Sequence, residues 1–196
     1  MQNAQFFFRW FHVIAGITWI GFLFFFNFVN VPLQAELDEA AKKAVNPKLL
    51  PRALWWFRWG AMATLLSGLI LYAMIFMYDP ATGGLSAVGA RMPSAWLMMG
   101  MLLGAVMWFN VWFIIWPTNR AILRGEMPAE RQPAARRKAY LASRANTYMA
   151  GPMLFGMLGA EHASANGAGA LAVGIVVGLL GILVAIGHAG RVGRSA

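Results

Sequence analysis

Polar residues in this chain come in clusters, and the stretches between them carry almost no charge. Five apolar runs are long enough, or nearly so, to meet the roughly 18–20 residues that a helix needs to cross a hydrocarbon core. The pattern predicts helices over about residues 5–31, 53–78, 93–116, 139–160 and 168–188. The first ends at Pro32 and the third at Pro117, where a helix loses a backbone donor. The fourth is the most polar, with Arg144 and Asn146 in its early turns and a kink expected at Gly151-Pro152. A membrane helix tolerates such a kink when its neighbours satisfy the freed carbonyls. The fold class expected is therefore all-α: a polytopic transmembrane bundle of about five helices, with residues 1–196 forming a single membrane domain.

Composition agrees with this. Hydrophobic residues make up 60% of the chain and charged residues 12%, about half the roughly 25% that a soluble domain carries. No cysteine is present, which excludes disulfides, thiolate metal sites, iron–sulfur clusters and covalent attachment of a c-type haem. The first apolar run is too long for a signal-peptide core and lacks a small-residue cleavage pattern after it, so it is expected to stay in the mature protein.

The net charge of +9 changes the picture only through its distribution. With five crossings, Arg9 and Arg91 fall on one side and the other 14 of 16 Lys and Arg residues on the opposite side or at its helix ends. The positive-inside rule then puts the N-terminus outside and the C-terminus in the cytoplasm. The basic excess is a topology signal and an attraction to anionic headgroups. The partner it implies is the lipid bilayer, not nucleic acid.

Two hairpins share a pattern. Phe26-Asn27-Phe28-Val29-Asn30-Val31-Pro32 closes the first helix, and Phe109-Asn110-Val111-Trp112 with Ile115-Trp116-Pro117 closes the third. Each is followed by a polar loop and a helix with an arginine near its start, Arg58 and Arg144. Helices 1–2 and 3–4 would then be related by an axis along the membrane normal. Recurrence of interfacial aromatics, Asn and Pro by chance is the competing reading, and the sequence alone weighs them equally.

Polar groups at membrane depth are the candidates for chemistry, because their burial is costly unless they are paired or used. His12 lies inside the first helix, with Ala15 and Gly16 on its face leaving room for a flat macrocycle. His162 ends the fourth helix on the same side, while His188 ends the fifth on the other. A bis-histidine haem needs two ligands at similar depth, and His12 with His162 is the pair that approaches this. The plain alternative is an interfacial imidazole bonded to a carbonyl or headgroup, and for His188 that reading is preferred. Arg58, in Trp55-Trp56-Phe57-Arg58-Trp59, is read first as a snorkelling interfacial residue and second as the partner of a haem propionate or another buried anion. Met149, Met153 and Met157 form a stripe read as packing rather than as copper ligands. The GxxxG pairs Gly100/Gly104 and Gly174/Gly178 mark close helix approach.

The strings His12-Val-Ile-Ala-Gly-Ile-Thr-Trp-Ile-Gly21, Phe26 to Pro32, Pro51-Arg-Ala-Leu-Trp-Trp-Phe-Arg-Trp-Gly60, Asn110 to Pro117 and Ser143-Arg-Ala-Asn-Thr147 with Pro152-Met-Leu-Phe155 resemble the membrane domain of the bacterial cytochrome-c-linked urate oxidases. The likeness covers roughly residues 6–162. In that family a c-type cytochrome domain follows the membrane domain, and electrons pass from urate toward the respiratory chain. The resemblance implies a redox module of the bacterial inner membrane. This chain has no Cys-x-x-Cys-His, so the expected acceptor is a separate cytochrome c or respiratory complex. A histidine-bearing first helix in a small bundle is also similar, more distantly, to membrane protoporphyrinogen oxidases and copper-resistance proteins. The reading is a b-type haem held by His12 and His162 in an electron-transfer module, as a homo-oligomer or a subunit of a larger complex. The alternative is a cofactor-free accessory or assembly subunit.

Overall fold

A computed structural model describes residues 2–86, 92–162 and 168–192, with residues 160–162 and 168 described by their backbone only. It contains five long helices: α1 (Gln2–Glu36), α2 (Glu39–Met77), α3 (Ala95–Leu123), α4 (Gln132–His162) and α5 (Ala168–Ala189). Among the described residues, α1, α2, α3 and α5 are long and apolar enough to cross a membrane. The hydropathy of α4 is lowered by Arg136, Arg137, Lys138 and Arg144 in its first half.

Its packing explains how α4 belongs to the bundle. It packs against α3 on one side and α5 on the other, so Asn146 and Thr147 meet protein instead of lipid, while Arg136, Arg137 and Lys138 stay exposed before the packed part of the helix. Asn146, Thr147 and Ala150 are fully buried. Contact with α5 rests on two glycines. A side chain at Gly178 would place its first carbon 2.5 Å from Pro152 N, and one at Gly151 would collide with the Gly178 carbonyl. With α3, Gly100 lies against the Met157 backbone and Gly156 against the Trp96 carbonyl. Small residues at these crossings let backbones approach, which is how membrane helices gain packing energy without a hydrophobic drive between them.

The first hairpin pairs α1 with α2. Gly60 sits where any side chain would come within 3.1 Å of Trp19 N. Around it Trp19, Leu23, Leu54, Phe57, Met107, Val111 and Met153 form one core that joins both hairpins.

The segment between the first two apolar runs, expected as a polar loop from Gln34 to Arg52, is largely helical. α1 continues to Glu36, and α2 starts at Glu39 instead of near Ala53. Asp38 caps α2, accepting from Ala41 N at 2.7 Å, which satisfies one of the orphan donors of the first turn. Pro47 and Pro51 lie inside this helix but are exposed, so the carbonyls they leave free can meet water. Gln34 and Asn46 exchange reciprocal amide bonds of 2.8 and 2.9 Å and clasp the two helices together. At about 1.5 Å per residue the 39 residues of α2 run about 58 Å. A hydrocarbon core is about 30 Å thick, so about the N-terminal half of α2 stands outside it as a stalk on the basic side of the molecule.

The pattern shared by the ends of α1 and α3 has a counterpart in the backbone. α1 contains a six-residue π-helical segment, Phe25–Asn30, just before Pro32, and α3 contains another, Asn110–Ile115, just before Pro117. Each proline ring would strike the carbonyl four residues earlier, Phe28 or Phe113. Widening the turn there relieves the clash. At the other end of α2, a π turn over Ala73–Met77 leads into a short hairpin of β1 (Tyr78–Asp79) and β2 (Gly84–Leu85). Its tight turn is held by the Asp79 carboxylate, which accepts from Ala81 N and Thr82 Oγ1. Gly83 takes the left-handed conformation at φ 69°.

Candidate functional site

His12 faces α2, where its Nδ1 lies 3.1 Å from Ser67 Oγ. The Ser67 hydroxyl has one proton, and that proton is committed to the backbone: the oxygen lies 2.6 Å from the Ala63 carbonyl and 3.1 Å from that of Thr64. Ser67 therefore accepts from His12, and Nδ1 carries the imidazole proton. The Thr64 backbone carbonyl is a second acceptor facing the ring. A neutral imidazole has one N–H, so Nε2 keeps its lone pair. This is the tautomer a metal-ligating histidine adopts when a second group orients it.

The space beside His12 is used differently from the sequence expectation. Ala15 is buried in the α1–α2 contact, and Gly16 lies against Thr64. The ring itself lies on Gly68, where a side chain would come within 3.0 Å of His12 Cε1. A groove of about 250 Å³ opens between α1 and α2, walled by Phe8, Phe11, Trp59, Met62, Leu66 and Ser67; His12 reaches it through Ser67 and is not itself a wall. Nine residues separate Gly68 from Met77, which places His12 about 14 Å below the end of α2.

The remaining candidates are scattered. The side chain of His162 lies outside the described residues, although α4 ends at this position. His188 is exposed in the last turn of α5. Met153 and Met157 contact Gly104 and Gly100 of α3, so the methionine stripe packs as expected and does not turn toward His12. Among the described residues no group of three His, Cys, Asp or Glu side chains gathers to hold a metal ion. The donor chemistry of His12 would suit a haem iron.

Arg58 is far from His12 along α2. Its guanidinium carbon lies 3.8 Å from the ring centre of Trp112, 4.7 Å from that of Trp116 and 5.5 Å from that of Trp59. These are cation–π distances. Its Nε is shut away from solvent with no hydrogen-bond partner, and so is the neighbouring Trp112 Nε1.

Sequence reasoning missed an amide network between the π segments and α4. Asn27 donates to Ser143 Oγ at 2.9 Å and to the Leu23 carbonyl. Asn110 donates to Asn146 Oδ1 at 2.8 Å, and Asn146 donates to the Met107 carbonyl. A π turn breaks the regular ladder, and these amides satisfy carbonyls beside the break. The available signal was three asparagines in apolar runs, each costly there unless paired.

Comparison with known proteins adds the family. The model of the urate oxidase N-terminal family matches residues 1–45 and 87–189, well over half of the chain. The chain belongs to this family. The matched blocks contain α1, α3, α4 and α5, and with them His12 and both prolines that follow the π segments in α1 and α3. Most of α2, with Arg58 and Ser67, lies between the blocks. No curated protein and no solved structure gives a significant match. This urate oxidase N-terminal domain is thus a multi-pass helical membrane domain.

Proposed function

We propose that this domain is an inner-membrane redox module that holds a b-type haem through His12 and passes electrons toward a cytochrome or respiratory complex. The observation that carries the reading is the Ser67-oriented imidazole beside an aromatic groove at membrane depth. A haem there would supply a one-electron centre. His12 Nε2 would hold it, Ser67 would fix the ring, and Phe8, Phe11 and Trp59 would keep water from its edge. His162 is the second ligand this reading names. Urate is the electron donor that family membership supports.

The purified protein, expressed with ample haem, is expected to show a Soret band and a reduced-minus-oxidised b-type spectrum. Membranes containing it together with a cytochrome c are expected to consume urate, while membranes lacking it are not. A spectrum without haem bands would overturn the cofactor reading. Haem bands without urate consumption across several acceptors would keep the cofactor and remove urate.

A second reading, the cofactor-free accessory subunit, is favoured by one observation. His12 is already hydrogen-bonded to Ser67 and packed on Gly68, so its presence is explained by helix pairing alone. The same spectrum separates the two.

The charge split supports an N-terminus outside and the basic side in the cytoplasm. A reporter fused after Ala196 is expected to be active only in the cytoplasm, and one inserted at Gly84 only outside. Activity of the Ala196 fusion outside would reverse the assignment.

A further inference from the structure

Arg58 sits at an interface. From Arg58 to Met77, the far end of α2, is 19 residues, and from Trp116 to Ala95, the far end of α3, is 21. At about 1.5 Å per residue both distances come to about 28–32 Å, the thickness of a hydrocarbon core. Arg58, Trp112 and Trp116 therefore lie where the core ends on the basic side. A snorkelling arginine would extend into water. This one is instead clamped between the rings of Trp112 and Trp116, with its Nε enclosed and lacking an acceptor. The rings attract its charge but offer no oxygen. Trp112 Nε1, beside it, is a second enclosed donor without an acceptor. Arg58 as a whole is only half-buried, so an anionic oxygen group from outside the chain can reach its charge, and a small shift of the rings would open the two donors to it.

The surroundings indicate how that group arrives. Pro51 and Trp55 lie seven and three residues before Arg58, on the same side of the helix. They line a groove of about 450 Å³ with Arg52 and Trp56. Trp59 touches Trp55 and Trp112 and also walls the upper groove with Met62, Leu66 and Ile70. A headgroup-sized recess, a cationic clamp and an apolar track thus follow one another along the lipid side of α2.

We propose that Arg58 and Trp112 Nε1 bind the phosphate of one anionic phospholipid, whose acyl chain runs along α2 from Trp59 toward Ile70. The proposal is independent of whether His12 holds a haem.

Native mass spectrometry of the full chain in mild detergent, titrated with phosphatidylglycerol or phosphatidylcholine of matched chains, tests it. One phosphatidylglycerol is expected to be retained about fivefold more tightly than phosphatidylcholine, the discrimination one basic residue gives near a membrane surface. Arg58→Gln should erase this preference, while Lys43→Gln, on the exposed stalk, should keep it. Trp112→Phe retains a ring for the guanidinium but lacks the indole donor, and should weaken the preference even if Arg58→Gln fails to fold. Equal retention of the two lipids by the unaltered protein would overturn the proposal. So would an equal loss from Lys43→Gln, which would mean diffuse surface charge, or displacement of phosphatidylglycerol by millimolar inorganic phosphate, which would mean a site for a free anion.

Discussion

His12→Ala is expected to remove the haem absorbance while leaving the protein inserted in the membrane. The substitution takes away the Nε2 lone pair and leaves Ser67 without its donor. A hydrogen bond between membrane helices contributes only about 0.6 kcal/mol on average, so the fold should survive. Ser67→Ala provides the graded control. It leaves the ligand in place but frees the ring to turn and to change tautomer, and should weaken haem binding about 10- to 100-fold, as loss of a group that orients a ligand does. Ser67→Thr should restore it. His188→Ala, at the other end of the bundle, should leave the spectrum unchanged. A full Soret band in His12→Ala would sink the assignment, since ligation would then lie elsewhere.

Gly178→Leu should detach α5 from α4. The obstruction is backbone, not a flexible side chain: the new Cβ would meet Pro152 N at 2.5 Å and the Gly151 carbonyl carbon at 2.6 Å. Neither can swing aside, so the helices must separate. Overpacking of this kind costs about 3 kcal/mol, which in a chain of this size lowers Tm by roughly 10 °C. Gly181→Ala, on the same helix with nothing within 4 Å of its added carbon, should melt like the unaltered protein. Equal melting of Gly178→Leu would mean that α4 and α5 are not packed at these glycines.

Much of the fold was legible because a bilayer enforces one rule: long apolar runs must be helices. The hidden parts follow from what that rule does not address. The stalk of α2 was missed because it is polar and lies outside the apolar run that signals a crossing; in an exposed helix the hydrogen bonds lost at Pro47 and Pro51 can be made to water. The π turns have no composition of their own. Pro32 and Pro117 marked their position, but widening of the turn is a backbone response that no single residue announces. For the site, His12 was legible as a buried imidazole in lipid. Its partner was not, because Ser67 lies 55 residues away and only the close approach of α1 to α2 at Gly60 and Gly68 brings the two together. Arg58 was legible as interfacial, since tryptophans surround it in sequence. Its clamp was not, because Trp112 and Trp116 belong to the other hairpin.

The two π turns carry a further consequence. An α-helix advances about 100° per residue, so adding or removing a single residue within Phe25–Asn30 or Asn110–Ile115 turns everything beyond it by more than a quarter of a revolution. Trp116 lies just past the second of these segments. A one-residue length change at that point would swing it from the guanidinium toward another neighbour while leaving the part of α3 before the segment seated. The π segments therefore act as adjusters. They give this architecture a way to re-aim its interfacial side chains through changes of chain length rather than of residue type, and relatives that differ by one residue there should differ in what they bind at the headgroup level.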